Sequence, residues 1–216
     1  MTISLKGFDT QMTNNFPRTV KIIACTLAFL ILPSFAFAKA LTVYPIDNLP
    51  TLVKNKGYAL FYVNSEIDSA SFNLSQISSK YINPRSRAWD TVYKSQKYTV
   101  SLKGLPKGFY VLLLERGIYQ ITQVNSPYYD LPFRYQTKDD VRWQFNVDNK
   151  HLNYVGHINF EKERSTDTIS VGLHNRIAMD YEQIMSLLAS LEKPPKFRLG
   201  TGVKDDFFAE INGEKK

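Results

Sequence analysis

The chain is poor in the residues that most often carry chemistry. Among 216 residues there is one cysteine, Cys25, and there are three histidines, His151, His157 and His174. Cys25 falls inside an N-terminal segment that reads as an export signal, so the exported chain would hold no thiol. Disulfides, a thiol nucleophile and thiolate metal sites are excluded together. There is no Gly-x-Ser-x-Gly elbow, no His-Glu-x-x-His and no phosphate loop, since GLPKG at 104–108 lacks the Lys-Ser/Thr ending. Asp139-Asp140 and Asp205-Asp206 are adjacent pairs whose side chains diverge, and no alternating-carboxylate calcium loop occurs. No run of five or six like charges appears, although 27 basic residues outnumber 20 acidic ones for a net charge of +7. Charge scattered in this way reads as a solvated surface rather than a nucleic-acid interface. Beyond residue 38 no apolar stretch approaches 18 residues, so no membrane span is expected there.

What is present begins with an address. Arg18 and Lys21 form a basic flank, and Ile22 to Leu32 is an uncharged apolar run of 11 residues. Pro33 follows, and Ala36 and Ala38 place small residues at the −3 and −1 positions before Lys39. This is the three-part layout of a secretory signal peptide over residues 1–38. As a helix the run would span ~17 Å, well short of a ~30 Å hydrocarbon core. The expected location is outside the cytoplasm, the periplasm in a Gram-negative cell. Two other readings of the segment stay open: an uncleaved anchor over Ile22–Ala38, and lipidation of Cys25, which stands at the start of the apolar run rather than after it. A start at Met12 would give a leader of more ordinary length.

The whole chain is 44% hydrophobic and 13% aromatic, values of a globular protein, and without disulfides it must rely on its apolar core. Tyr58 to Val63 is a compact apolar run of buried-strand length. Ala70, Phe72 and Leu74 alternate with small polar residues. Residues 78–97 are polar and read as a long connection. Tyr98, Val100 and Leu102 alternate, 104–108 turns, and Phe109 to Leu114 returns as an apolar strand. Tyr119 and Ile121 start a short strand, and Pro127 and Pro132 punctuate a loop. Val141, Trp143, Phe145 and Val147 alternate with polar residues, Asp148-Asn149-Lys150 turns, and Leu152, Tyr154, Ile158 and Phe160 form the apolar face of the return, with Gly156 a gap between them. Ile169, Val171 and Leu173 alternate once more. From Ala178 to Leu191, Tyr181, Ile184, Met185, Leu188 and Leu191 follow helical spacing, with Asp180 as N-cap and Pro194-Pro195 as the stop. The tail 193–216 is charged and reads as loose apart from Phe207 and Phe208. The expected fold is therefore all-β: an antiparallel β-sandwich of about seven strands over 39–192 with one C-terminal helix.

On the strand 151–160 the two-residue period puts His151 and His157 on the polar face, away from the apolar set. Six residues separate them, about 20 Å in an extended chain, so they cannot share one ion. His174 ends the next strand, and no carboxylate stands at a set spacing to any of the three. No catalytic residue, metal site or cofactor is expected. The candidate contact surface is aromatic: Tyr128, Tyr129 and Phe133 in the proline-flanked loop, with Trp89 in the earlier connection. Exposed aromatics can stack on a sugar or receive a peptide.

Leu105, Pro106, Gly108 and Tyr110, then Phe145 and Val147, then Tyr154, Val155, Gly156 and Ile158 make a pattern that resembles a family of exported bacterial β-sandwich proteins of unknown function. That family is similar to the transthyretin-like, carboxypeptidase-regulatory-like modules. The resemblance spans residues 57–190. It implies a sandwich, an exported location and no catalytic residues. Members often carry a lipoprotein cysteine, and this sequence departs from that. The function expected is a non-enzymatic exported binding protein whose partner is an envelope protein or a glycan. The alternatives are an envelope hydrolase with a site assembled from loop residues, and a structural subunit that pairs through an edge strand.

Overall fold

A computed structural model describes residues 38–65, 69–128, 131–138, 140–163, 168–203 and 205. The elements are β1 (Lys39–Leu41), β2 (Tyr44–Pro45), β3 (Lys56–Ser65), β4 (Ser71–Ile82), β5 (Trp89–Ser101), β6 (Gly108–Glu115), β7 (Gly117–Tyr128), β8 (Leu131–Gln136), β9 (Gln144–Val147), β10 (His151–Glu163), β11 (Thr168–His174), the helix α1 (Ile177–Ala189) and β12 (Lys196–Leu199). They form two six-stranded sheets. The first runs β1-β5-β4-β7-β8 with β9 also on β7. The second runs β11-β10-β3-β6-β2 with β12 also on β10.

The second sheet is covered on both faces, which explains its continuous apolar strands. On β3, Ala59, Phe61 and Val63 enter the core between the sheets, whereas Tyr58 and Leu60 enter a second core under α1. On β6, Tyr110, Leu112 and Leu114 face inward, and Phe109 and Val111 face the helix side. From α1, Ile184 and Leu188 complete the second core, while Tyr181, read as part of the apolar face, is half exposed.

The all-β class holds, with two corrections of topology. The sheets are mixed: β1 lies parallel to β5, and β10 lies parallel to both β3 and β12. Side-chain alternation reports which face is buried and is blind to strand direction. More strands are present than the seven or so expected: β1, β2, β8 and β12 are additional, and most of the polar segment 78–97 lengthens β4 and β5 on either side of a turn at 83–88. Beyond Gln76, the last β4 residue paired to β7, β4 and β5 continue as a two-stranded ribbon in which Ile77 faces Tyr93 and Ile82 faces Trp89. From Ser78 onward the ribbon is largely exposed and needs no apolar alternation, so the sequence reads as a connection.

Two further expectations shift. Val141 does not continue the strand of Trp143, Phe145 and Val147. It opens a 3-10 turn, Val141–Trp143, capped by Asp140, and is 67% exposed. The tail is docked over part of its length: β12 pairs with residues 151–154, and the Arg198 guanidinium lies 2.7 Å from Asp148. Gly200 then bridges the sheets, its N–H donating to the Tyr154 carbonyl and its carbonyl accepting from Asn146, both at 2.8 Å. Backbone pairing of this kind leaves little side-chain signature. Phe207 and Phe208 lie outside the described residues.

Candidate functional site

The histidines part company at Gly156. The pairing of β10 with β3 slips between Tyr154 and Gly156. Gly156 takes φ +132°, and a Cβ there would stand 2.5 Å from the His174 carbonyl oxygen. This bulge inverts the alternation. Leu152 and Tyr154 face the helix side before it, and Ile158 and Phe160 face the inter-sheet core after it. His157 is thereby turned towards α1, where the Tyr62 ring stacks on it at 4.5 Å between centroids and Phe109 meets it edge-on at 6.5 Å. The expectation that His157 stands on a wet polar face is corrected: its side chain is 13% exposed.

Asp180 is its partner. The helix begins one turn earlier than Asp180, with Arg176 as N-cap, so Asp180 is a first-turn residue rather than the cap. Its buried carboxylate lies 2.6 Å from His157 Nε2 and accepts from the Tyr154 hydroxyl at 2.6 Å. That hydroxyl in turn accepts from the Arg176 N–H at 3.2 Å. Burial, reinforced by the hydrogen bond to Asp180, pushes the Tyr154 hydroxyl well above the ordinary tyrosine range. The group fastens α1 to β10, and a first-turn carboxylate also suits the helix dipole. His151 is half-buried, its Nδ1 2.7 Å from the Asn149 carbonyl. His174 stands opposite His157 in the β10–β11 ladder. Among the described residues, no group of three or more His, Cys, Asp or Glu could hold a metal ion.

The aromatic contact residues do not form one surface. Phe133 pairs with Ser126 on β7, just past the β7 residue opposite Ser71, whereas Trp89 pairs with Ile82 at the far end of β4. Eleven strand positions at ~3.3 Å each put them roughly 35 Å apart. The loop expected around Tyr128 and Tyr129 is a hairpin between β7 and β8 in which Pro127 faces Pro132. The Tyr128 side chain and Tyr129 lie outside the described residues. Phe133 borders a cleft of about 430 Å³ with Asn73, Gln123, Asn125, Pro127 and Arg134.

Trp89 stands on a larger cleft. One wall is the β4–β5 ribbon, with Lys80, Tyr81, Trp89, Thr91 and Tyr93. The other is the β8–β9 connection, with Lys138 and Val141, and the first residue of β9, Gln144, and the volume is about 630 Å³. Trp89 is 69% exposed and Tyr81 47%. The walls are cross-braced: Lys80 Nζ donates to Gln144 Oε1 at 2.7 Å, the Tyr93 hydroxyl donates to the Lys138 carbonyl at 2.9 Å, and Lys138 Nζ sits 5.3 Å over the Tyr93 ring. Behind the connection, buried Gln120 donates to the Thr137 and Asp140 carbonyls, and Asp140 clamps Arg142. That guanidinium holds the Asp140 carboxyl below its usual range. Sequence reasoning found Trp89 but missed the cleft, whose walls are 45 or more residues apart along the chain.

Ala38 is exposed and Lys39 opens β1, so cleavage between them would leave β1 as the first residues of the chain. Ala36 lies outside the described residues. Among the described residues, no helix is long and apolar enough to cross a membrane.

Fold and geometry thus define a two-sheet, all-β protein with a helix on one sheet and a braced cleft beside the other. No protein-family model and no curated protein matches the chain. Among solved structures, one described as "a putative cell adhesion protein from Bacteroides ovatus ATCC 8483" aligns at a TM-score of 0.31 and 6% identity. That alignment covers 56% of this chain and 44% of the other, less than half its length.

Proposed function

We propose that this is a non-enzymatic, exported recognition protein and that its contact surface is the cleft between the β4–β5 ribbon and the β8–β9 connection. One observation carries the reading: Trp89, 69% exposed, stands on the rim of a cleft whose walls are tied together by hydrogen bonds. A large apolar ring left in water beside a braced concavity is the common form of a binding surface. The chemically versatile residues elsewhere have structural work, since His157, Asp180 and Tyr154 satisfy one another beneath α1. The export signal in residues 1–38 supports an envelope partner, a glycan or another exported protein, in the periplasm where the cell is Gram-negative. Assembly through an edge strand has less support. The outer strand β8 carries Pro132 and Arg134, which hinder pairing with a neighbour.

The test is parallel capture from envelope extract with the mature protein and its Trp89→Ala variant as baits. The reading expects a partner retained by the first and lost by the second at unchanged melting temperature. Equal retention by both would remove the cleft from consideration. Mass analysis of the bait's N-terminus checks cleavage after Ala38 in the same run.

A further inference from the structure

We infer that the Trp89 cleft is a site for an acidic oligosaccharide, a chain of pyranose rings bearing carboxylates; this rests on the reading of that cleft as the recognition surface. Three features point to that chemistry.

The first is the mixture of groups. A sugar ring offers an apolar C–H face and a rim of hydroxyls. Trp89 and Tyr81 supply exposed aromatic faces for the one, and Lys80, Thr91, Asp90 and Gln144 supply donors and acceptors for the other. The volume of about 630 Å³ lies within the range of small-ligand clefts.

The second is charge. The ribbon, residues 77–97, carries Lys80, Arg85, Arg87, Lys94 and Lys97, all exposed, against the single acid Asp90. Asp90 is itself engaged, accepting from Asn83 Nδ2 at 2.6 Å. Lys138 adds a cation from the opposite wall. Its hold on the Tyr93 ring, like that of Lys80 on Gln144, is to an uncharged group, so both ammonium charges stay uncompensated by these contacts. Of the acids on the connection, Asp140 is bound to Arg142, and Asp139 lies outside the described residues.

The third is the shape of the ribbon. A hairpin that inserts into lipid carries apolar side chains at its turn, but here the turn 83–88 reads Asn-Pro-Arg-Ser-Arg-Ala. The exposed pair Ile82 and Trp89 borders this turn, but the turn itself carries two arginines and no large apolar side chain.

Tryptophan fluorescence gives a direct reading, because Trp89 is exposed and Trp143 is 3% exposed in the core. The mature protein is titrated with a short galacturonate oligomer, a neutral glucose oligomer of equal length, a single-stranded oligonucleotide of equal charge, and phosphatidylglycerol vesicles. The galacturonate oligomer is expected to bind in preference to the other three. Trp89→Ala lacks the reporting ring, so its binding is followed by isothermal titration calorimetry beside the unchanged protein, and it should be weaker by more than about thirtyfold, as removal of an anchoring ring makes it. The double variant Lys80→Gln, Lys138→Gln should weaken it about three- to tenfold, with the neutral oligomer unaffected. Circular dichroism of each variant confirms that it folds. Preference for the neutral oligomer, the oligonucleotide or the vesicles, lost in Trp89→Ala, would overturn the acidic-sugar assignment and leave the cleft as the contact surface. No response to galacturonate would overturn the assignment too, and the capture experiment would then decide separately whether the cleft reading stands.

Discussion

His157 Nε2 lies 2.6 Å from Asp180 Oδ2, across the boundary between a strand and the helix that covers it. The same carboxylate oxygen accepts from the Tyr154 hydroxyl. One acid thus answers two polar groups that β10 turns to the same side only because of the bulge at Gly156. Tyr154→Phe leaves Asp180 short of a donor, and Asp180→Ala strands both the phenol and the imidazole. Each change is expected to cost about 1–3 kcal/mol, the larger loss falling on Asp180→Ala. Urea unfolding measures both.

Gly156→Ala tests the bulge itself. A Cβ would press on the His174 carbonyl oxygen in a backbone region that only glycine adopts readily. The expected loss is about 1–3 kcal/mol. A neutral result in thermal unfolding would mean that β10 can re-register without penalty.

High pH should unfold the protein together with tyrosine ionisation. Burial raises the Tyr119 and Tyr154 hydroxyls above the ordinary value. The native state holds protons that the unfolded chain gives up near pH ~10. Stability from these groups is fully present below that pH and is lost as pH rises towards the raised native values. The part of the tyrosinate absorbance that Tyr119 and Tyr154 contribute, read as the difference from the Tyr119→Phe and Tyr154→Phe variants, should therefore rise with the loss of circular dichroism, displaced to lower pH in the Gly156→Ala variant.

Removal of residues 194–216 should destabilise the sandwich by about 2–5 kcal/mol, since it deletes the β12 ladder and the Gly200 bridge between β9 and β10. Denaturant titration of the truncated chain checks this. A change within experimental error would mean that β12 is an ornament on β10.

The strands that bury one or both faces were legible in the sequence: Phe72 and Leu74 by alternation, Tyr58 to Val63 by an unbroken apolar run. Direction was not, because residues of the β10–β3 pair face the same cores whichever way the strands run. His157 was misplaced for a local reason. Period-two reasoning carries across a strand only while the ladder is regular, and the residue that signals irregularity here, a glycine inside a strand, looks in the sequence like a mere gap between apolar positions. The ribbon was hidden because Lys80, Thr91 and Lys94 need no buried partner. Trp89 stood out by residue type alone, but its neighbours Lys138 and Val141 reach it only through the path of β7 and β8.

The most direct measurement compares two variants in two assays: melting temperature, and partner retention from envelope extract, for Trp89→Ala and Tyr154→Phe. Trp89→Ala should lose the partner and keep its melting temperature, while Tyr154→Phe should melt earlier and keep the partner. The reverse pattern, with recognition lost beneath α1 and the ribbon cleft indifferent, would contradict the account.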